Sequence, residues 1–201
     1  MKVNEIFTSF QGEGPFIGTR ATFLRLSGCN LNCDFCDTLS RDEGEIMNAE
    51  EVGKAILSEL EKHNTDFLVI TGGEPTLQYE ELRELLPLLD GKCRIQFESN
   101  GTSHEELIEE AYYVISPKID KEDVYKRYLP YGNVFFKFVI ESQKDIDFVL
   151  ELLEKYEKPA NDVYLQPEFS KAPQVMDLII SNRLPLNIKV TGQLHKYLNQ
   201  R

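Results

Sequence analysis

The sequence predicts an α/β fold, namely an incomplete, laterally open (β/α) barrel of about six parallel strands with outer helices. Short apolar runs alternate along the chain with longer amphipathic segments, as in a parallel sheet with crossover helices. The apolar runs are too few for a closed barrel of eight strands. We therefore expect one domain over residues 1–201, in which residues 1–20 form an N-terminal extension before the first barrel strand.

The strands are predicted at short apolar runs that are bounded by turn-forming residues. These runs are residues 21–26, 67–71, 94–98, 112–116, 134–140, 162–166 and 186–190. Helices are predicted where apolar residues recur with helical spacing, at residues 49–63, 79–89, 105–110, 144–157 and 173–182. Asn48 is a suitable N-cap for the first of these helices, and Glu51 completes a capping box.

Composition excludes several classes of protein. Hydrophobic residues make up 41% of the 201 residues, which is enough to bury a sizeable core. No apolar run reaches the roughly 18 residues of a transmembrane helix, and the first residues lack the pattern of a signal peptide. We therefore expect a cytoplasmic protein that does not bind membranes. The net charge of −12 argues against a nucleic-acid-binding surface.

Three cysteines, Cys29, Cys33 and Cys36, follow the first predicted strand as Cys-x3-Cys-x2-Cys. Most iron–sulfur clusters are held by four cysteines, so three would leave one iron open to a substrate or cofactor. Structural zinc is the alternative, but it usually takes four ligands. The remaining cysteine, Cys93, is isolated, and the histidines are scattered at positions 63, 104 and 195. The spacing favours an open-site cluster and leaves zinc as an alternative.

A second motif, Gly72-Gly73-Glu74-Pro75, follows the predicted strand at residues 67–71. Its glycines let the backbone turn sharply and approach a ligand closely. Taken alone, the motif is better explained by a tight turn after a buried strand. However, both motifs follow predicted parallel strands, and α/β folds place ligands at the carboxyl ends of such strands.

Together the two motifs resemble those of the radical S-adenosylmethionine (SAM) superfamily. The resemblance implies that the three cysteines hold a [4Fe–4S] cluster and that SAM chelates the fourth iron. Polar residues at the ends of the other predicted strands suit the rest of this cofactor, although each of them taken singly is also typical of an ordinary surface loop. The cofactor-binding residues implied in this way are Asp37, Gly72, Gly73, Glu74, Glu98, Asn100, Ser116, Lys118, Lys137 and Gln166.

A series of shorter segments makes the resemblance specific to one family of this superfamily. Residues 9–14 read Ser-Phe-Gln-Gly-Glu-Gly, residues 97–102 read Phe-Glu-Ser-Asn-Gly-Thr, and residues 193–196 read Gln-Leu-His-Lys. Phe-Leu-Arg-Leu precedes the cysteines, and Cys-Asp-Thr, Ser-Pro-Lys, Lys-Phe-Val and Leu-Gln-Pro-Glu follow in order. This series is similar to the 7-carboxy-7-deazaguanine synthase family from about residue 6 to residue 196.

The resemblance implies a reaction and its partners. The family converts 6-carboxy-5,6,7,8-tetrahydropterin to 7-carboxy-7-deazaguanine with release of ammonia, on the route to queuosine and archaeosine. A radical derived from SAM takes a hydrogen from C6, the ring contracts, and Mg2+ assists the rearrangement. The implied partners are the pterin, an electron donor such as flavodoxin or ferredoxin, and a second copy in a homodimer. The donor stays open because the loop at residues 39–47 is short.

The resemblance also assigns roles to residues. Gln11 and Glu13 match the aminopyrimidinone edge of the pterin, and Arg25 and His195 match its carboxylate. A hydroxyl oxygen such as that of Thr38 suits Mg2+. The implied substrate-binding residues are Gln11, Glu13, Gly14, Arg25, Gly72 and His195, of which Glu13, Arg25 and His195 are catalytic. The implied metal ligands are Cys29, Cys33, Cys36 and Thr38.

Two other functions stay open at this point. A glycyl-radical-enzyme activase shares the cysteine spacing and the small size, but it needs an open groove for a peptide. It has no need of a pterin pocket built from Gln11, Glu13 and His195. A non-catalytic iron–sulfur or zinc module is the other alternative, and zinc without sulfide in the purified protein would indicate it. The ordered motifs favour the synthase over both.

Overall fold

The computed structural model describes residues 1–36, 42–103, 106–118, 120–156, 162–186 and 188–200. The chain divides into two compact units. The first unit consists of Met1–Gln11, Thr19–Ser99 and Ser103–Tyr113, and the second of Gly12–Gly18, Asn100–Thr102 and Val114–Arg201. The single domain over residues 1–201 and its extension at residues 1–20 stay predictions.

The first unit is a mixed sheet with two helices. Its strands are β1 (Lys2–Phe10), β2 (Arg20–Leu26), β3 (Glu45–Ile46), β4 (Phe67–Gly72), β5 (Arg94–Ser99) and the first part of β6 (Ala111–Ile115), in the order β3-β1-β2-β4-β5-β6. Strands β2, β4 and β5 are parallel, whereas β1 is antiparallel to β2 and β3. The helices are α1 (Ala49–His63) and α2 (Tyr79–Leu89).

The second unit continues the alternation of strands and helices. After the end of β6 come α3 (Glu122–Tyr128), β7 (Val134–Ile140), α4 (Gln143–Lys155), β8 (Val163–Pro167), α5 (Ala172–Ser181), β9 (Lys189–Val190) and α6 (Leu194–Tyr197). The strand order is β6-β7-β8-β9, and both β7–β8 and β8–β9 are parallel pairs.

The predicted fold class is confirmed. The sheet is mostly parallel and carries helices, and it is open because β3 and β9 are edge strands. Strand β4 is fully buried over Phe67, Leu68, Val69 and Ile70, as a strand covered on both faces requires. Helix α1 buries Val52, Ile56 and Leu60, which lie on one face because they are four residues apart. Among the described residues, no helix has the length and apolar character that crossing a bilayer requires.

Most predicted elements lie where the sequence places them. The bounds of α1, α2 and β7 are confirmed, and most other strands and helices begin and end within one or two residues of prediction. The capping box of α1 is also confirmed, because the Glu51 amide donates to Asn48 Oδ1 and the Asn48 amide donates to Glu51 Oε2, both at 2.9 Å.

The helix predicted at residues 105–110 is wrong, since the described residues 106–110 form no helix. The segment is too short to be helical without a packed apolar face. Instead, the Ile108 amide donates to the Tyr113 hydroxyl at 2.9 Å, and the chain turns into β6. The predicted strand at residues 186–190 is reduced to β9. Strands β1 and β3 and helices α3 and α6 were not predicted.

Candidate active site

The cysteine segment begins beside the Gly-Gly-Glu-Pro motif in the first unit. Leu26, the last residue of β2, pairs with Gly72, the last residue of β4. Beyond this pair, the Gly73 amide donates to the Leu26 carbonyl at 3.1 Å, and the Glu74 amide donates to the Gly28 carbonyl at 2.8 Å. The two motifs thus lie together at the carboxyl ends of neighbouring parallel strands, where the sequence predicted them.

Glycine is required at both positions of this motif. A Cβ atom on Gly73 would lie 2.0 Å from the Gly28 carbonyl oxygen and 2.9 Å from the Cys29 Cβ. A Cβ atom on Gly72, whose φ is +138°, would lie 2.0 Å from the Leu26 carbonyl oxygen. Any side chain at residue 73 would therefore push the end of β4 away from the cysteine segment.

The cysteine segment is irregular and partly open to solvent. Cys36 is exposed, Cys29 and Cys33 are half-buried, and none of the four cysteines forms a disulfide. The Cys36 amide donates to the Cys33 carbonyl at 3.1 Å, and the Leu31 amide lies 3.4 Å from Cys29 Sγ. Within the described residues, no three His, Cys, Asp or Glu side chains are grouped as metal ligands. Asp37 and Thr38 lie outside the described residues, so their roles stay predictions.

Glu74 is fully buried and holds the turn that follows β4. Its Oε1 accepts from the Ser99 hydroxyl at 2.8 Å, the Thr76 hydroxyl at 2.5 Å and the Thr76 amide at 3.1 Å. This carboxylate therefore caps the 3₁₀ turn Pro75–Gln78. It fixes the backbone that follows the two glycines.

Gln11 and Glu98, which were predicted for substrate and cofactor respectively, are in direct contact. Glu98 Oε1 accepts from Gln11 Nε2 at 3.0 Å and from Gln96 Nε2 at 2.7 Å. Gln96 is fully buried, and its Oε1 has no hydrogen-bond partner among the described residues. The sequence analysis missed Gln96. Gln96 is a polar residue inside the predicted strand at residues 94–98, two positions before Glu98. Side chains two positions apart in a strand lie on the same face, and this spacing is the signal that identifies Gln96.

Arg25 is paired with Glu5, which was not among the predicted site residues. These two residues are opposite each other in the β1–β2 ladder, and Arg25 Nε lies 2.9 Å from Glu5 Oε1. The guanidinium also lies over the Phe7 ring, 5.6 Å from its centroid. This contact uses Nε, and the terminal nitrogens of a guanidinium are additional donors that suit a carboxylate.

Glu13 is at the centre of a polar cluster in the second unit. Its Oε2 pairs with Lys137 Nζ, and its Oε1 accepts from Gln193 Nε2 at 2.9 Å. The side chains of Lys137 and Glu13 are 7% and 17% exposed. Lys137 was predicted to bind the cofactor, and its contact with a predicted substrate residue could not be inferred from sequence. His195 lies against Gly12, where a Cβ atom would be 2.2 Å from His195 Nδ1.

The other predicted cofactor residues of the second unit lie at turns and strand ends. Asn100 Oδ1 accepts from the Thr102 amide at 2.9 Å and the Thr102 hydroxyl at 2.6 Å. Lys118 Nζ donates to the Ser116 hydroxyl at 2.8 Å. Gln166 is buried in β8, and its Oε1 has no hydrogen-bond partner among the described residues.

Comparison with known proteins decides the family. Residues 24–159 match the model of the radical SAM superfamily. The 7-carboxy-7-deazaguanine synthase of Hyperthermus butylicus is 34% identical, with 89% of this chain and 80% of that protein covered. The synthase of Methanospirillum hungatei is 32% identical, with 98% and 85% covered. The chain belongs to the 7-carboxy-7-deazaguanine synthase family of the radical SAM superfamily.

A solved structure agrees with the fold of this radical SAM enzyme. The crystal structure of QueE from Escherichia coli superposes with a TM-score of 0.71 at 24% sequence identity. The match covers 96% of this chain and 94% of that one. At this level of identity the likeness shows the shared fold.

Membership of the radical SAM superfamily implies a [4Fe–4S] cluster and SAM, and the described residues fit both by chemistry. Three thiols outside any disulfide supply the ligands that iron–sulfur clusters take. The side-chain-free backbone at Gly72 and Gly73 permits the close approach of a ligand. The buried acceptor of Gln166 suits an amino group, because a buried polar atom is normally hydrogen-bonded.

Proposed function

We propose that the chain catalyses the radical-mediated ring contraction of 6-carboxy-5,6,7,8-tetrahydropterin to 7-carboxy-7-deazaguanine, with release of ammonia, in the biosynthesis of 7-deazaguanine compounds such as queuosine. The observation that carries the proposal is the similarity to curated 7-carboxy-7-deazaguanine synthases over nearly the whole chain. The contact between the cysteine segment and the Gly-Gly-Glu-Pro motif supports it. Neither alternative function, activase or non-catalytic module, gains support from these relatives.

In this proposal, the bound cluster and SAM together supply the radical that removes a hydrogen from the pterin. Cys29, Cys33 and Cys36 hold the cluster. The backbone at Gly72 and Gly73 lies against the methionine part of SAM. The remaining proposed cofactor contacts are Asp37, Glu74, Glu98, Asn100, Ser116, Lys118, Lys137 and Gln166, of which Gln166 offers a buried acceptor.

The proposed substrate-binding residues contact the two ends of the pterin. Gln11 and Glu13 bind its donor-rich edge, Arg25 and His195 bind its carboxylate, and Gly14 and Gly72 are the other proposed substrate-binding residues. Lys137 lies against Glu13, so we assign it the additional task of orienting the Glu13 carboxylate. A hydrogen bond from a charged partner is stronger than a neutral one.

Several further features belong to the proposal. Thr38 provides a hydroxyl ligand to Mg2+, which prefers oxygen donors and retains several waters. Flavodoxin or ferredoxin supplies the electron, and the active protein is a homodimer in the cytoplasm. The absence of nucleic acid among the partners also stays a prediction, which rests on the net charge of −12.

The test is anaerobic turnover. Protein reconstituted with iron and sulfide is incubated with dithionite, SAM, Mg2+ and the tetrahydropterin, and the product is identified by its ultraviolet absorbance and mass. Formation of 7-carboxy-7-deazaguanine that depends on SAM is the expected result. Cleavage of SAM without any consumption of the pterin would contradict the assigned substrate while leaving the superfamily chemistry intact.

A further inference from the structure

We infer that Thr191 and Gln193 are positioning residues that fix the turn at residues 12–14, and with it the Glu13 carboxylate, for binding of the pterin. The inference rests on the proposed function and adds two residues that the motifs did not assign. Both side chains are buried, with exposures of 6% for Thr191 and 8% for Gln193. Residues 191–195 and the 12–14 turn both belong to the second unit.

The first set of contacts fixes the backbone on both sides of Glu13. The Gly14 amide donates to Thr191 Oγ1 at 3.1 Å, and this bond is buried. The Leu194 amide donates to the Gly12 carbonyl at 2.9 Å. Gly14 has a φ of +66°, a conformation that glycine adopts without strain. The two bonds hold the turn in this conformation.

The second set of contacts fixes the side chain of Glu13. Gln193 Nε2 donates to Glu13 Oε1 at 2.9 Å, while Gln193 Oε1 accepts from Lys196 Nζ at 3.0 Å. Lys137 pairs with the other oxygen of Glu13. An ammonium group is a compact point charge on a flexible stem, whereas the N–H of a planar amide donates along a defined direction. The hydrogen bond from Gln193 therefore orients the Glu13 carboxylate more specifically than the Lys137 ammonium group does.

The same segment also places His195. The His195 ring lies so close to Gly12 that a Cβ atom there would be 2.2 Å from Nδ1. Residues 191–195 therefore set the positions of Glu13 and His195 together. Because these are the residues proposed to bind opposite ends of the pterin, a small displacement of Gln193 or Thr191 changes the fit to the substrate.

The experiment compares Gln193→Ala and Thr191→Val with the conservative Thr191→Ser, which keeps the hydroxyl acceptor. Gln143→Ala is the matched control, because Gln143 is an amide on α4 that bonds to Asp147 and Asn182 instead. Four quantities are measured for each reconstituted protein. They are kcat and KM for the pterin, the calorimetric affinity for 7-carboxy-7-deazaguanine, and the rate of SAM cleavage without pterin.

We expect kcat/KM and product affinity to fall roughly 10- to 100-fold in Gln193→Ala and Thr191→Val, the effect of losing one or two hydrogen bonds to a buried or charged group. Thr191→Ser and Gln143→Ala should stay close to wild type, and SAM cleavage without pterin should be unchanged in all four. Unaltered KM and affinity in Gln193→Ala would overturn the inference alone. A wild-type protein that neither binds nor converts the pterin would overturn the proposed function and the inference together.

Discussion

Cys93 is the one cysteine outside the Cys-x3-Cys-x2-Cys segment, and its surroundings disfavour the thiolate. Burial raises the pKa of the Cys93 thiol to about 11, and the Asp66 carboxylate acts in the same direction. At neutral pH this thiol is therefore protonated, and metal ligation requires the thiolate. Cys29 and Cys33 are half-buried, as Cys93 is, and Cys36 is exposed.

We predict that Cys33→Ala abolishes cluster binding and SAM cleavage, because two thiolates do not retain a cluster that normally takes three or four. Iron and sulfide content, and formation of 5′-deoxyadenosine under dithionite, are the measurements. Cys93→Ala is the matched control and should keep both. A Cys33→Ala protein with wild-type iron content and full cleavage would disprove the assignment of the cluster ligands.

The pair formed by Lys137 and Glu13 has an energetic consequence. We predict that Lys137→Met lowers the free energy of unfolding by about 3 kcal/mol, because the change leaves a largely buried carboxylate without its ammonium counter-charge. This value is at the lower end of the range for buried pairs, since the Glu13 side chain is 17% exposed. Urea unfolding of Lys137→Met, Glu13→Gln and the double variant provides the measurement.

The double variant is the control for this prediction. Combining Glu13→Gln with Lys137→Met removes both charges, so it should recover most of the stability that Lys137→Met loses. If Lys137→Met is as stable as wild type, the ion pair makes no net contribution to folding.

Thr38 gives a prediction about metal dependence. In the proposed function, a hard cation beside the substrate carboxylate would orient the pterin and stabilise charge during the rearrangement. Turnover should therefore rise with Mg2+, Thr38→Ala should blunt that rise without loss of iron, and Thr38→Ser should retain much of it. Rates against Mg2+ concentration after chelator treatment test this. Full Mg2+ activation in Thr38→Ala would mean that the metal binds elsewhere.

At the scale of elements, the contact between β4 and the cysteine segment depends on the lack of a side chain at residue 73. We predict that Gly73→Ala lowers both iron incorporation and stability, the latter by about 1–3 kcal/mol as for overpacked sites. The added methyl group would lie 2.0 Å from the Gly28 carbonyl oxygen. Iron content and thermal unfolding are the measurements.

Gly132→Ala is the matched control for this change. A Cβ atom at Gly132 meets nothing within 4 Å, so the same substitution there should alter neither iron content nor stability appreciably. Equal behaviour of the two alanine variants would show that β4 can move without disturbing the cysteine segment.

The sequence predicted best those elements whose signals are local. Helix α1 has its own capping box and an apolar face of its own, and β7 is a continuous apolar run. Strand β1 was missed because Lys2–Phe10 mixes polar and apolar residues without a clear strand pattern. Its pairing with β2 stabilises it as a strand. Helix α3 was missed because its seven residues are mostly polar or aromatic, although Val124, Tyr125 and Tyr128 are buried.

The site was predictable only in part for the same reason. The cysteines and the Gly-Gly-Glu-Pro motif are recognisable within short windows, and the structure places them side by side. The bond between Lys137 and Glu13 joins residues 124 positions apart, and the bond between Gly14 and Thr191 joins residues 177 apart. Such contacts are set by the topology of the second unit, which no local pattern encodes.

For the whole molecule, the described cysteine segment lies outside the hydrophobic core. Buried residues such as Leu24, Ile70 and Phe136 belong to strands, while residues 27–36 form no regular secondary structure. We therefore predict that removing iron with a chelator leaves the far-ultraviolet circular dichroism and cooperative unfolding intact, unlike a zinc finger, which unfolds without metal.

The comparison for this prediction uses reconstituted, chelated and Cys33→Ala proteins at equal concentration. The three spectra should superpose, with only the visible absorbance of the cluster lost in the second and third. A large loss of helical signal on chelation would show that the cluster is part of the folding nucleus.

The hydrogen bond between Gln193 and Glu13 spans 180 residues, which has a consequence for protein synthesis. Glu13 leaves the ribosome 180 residues before Gln193 does. Contacts of such long sequence separation form late, because the intervening chain must first be ordered. Until then the Glu13 carboxylate lacks this restraint, so the nascent chain contains its cysteine segment well before the contact between Gln193 and Glu13 can form.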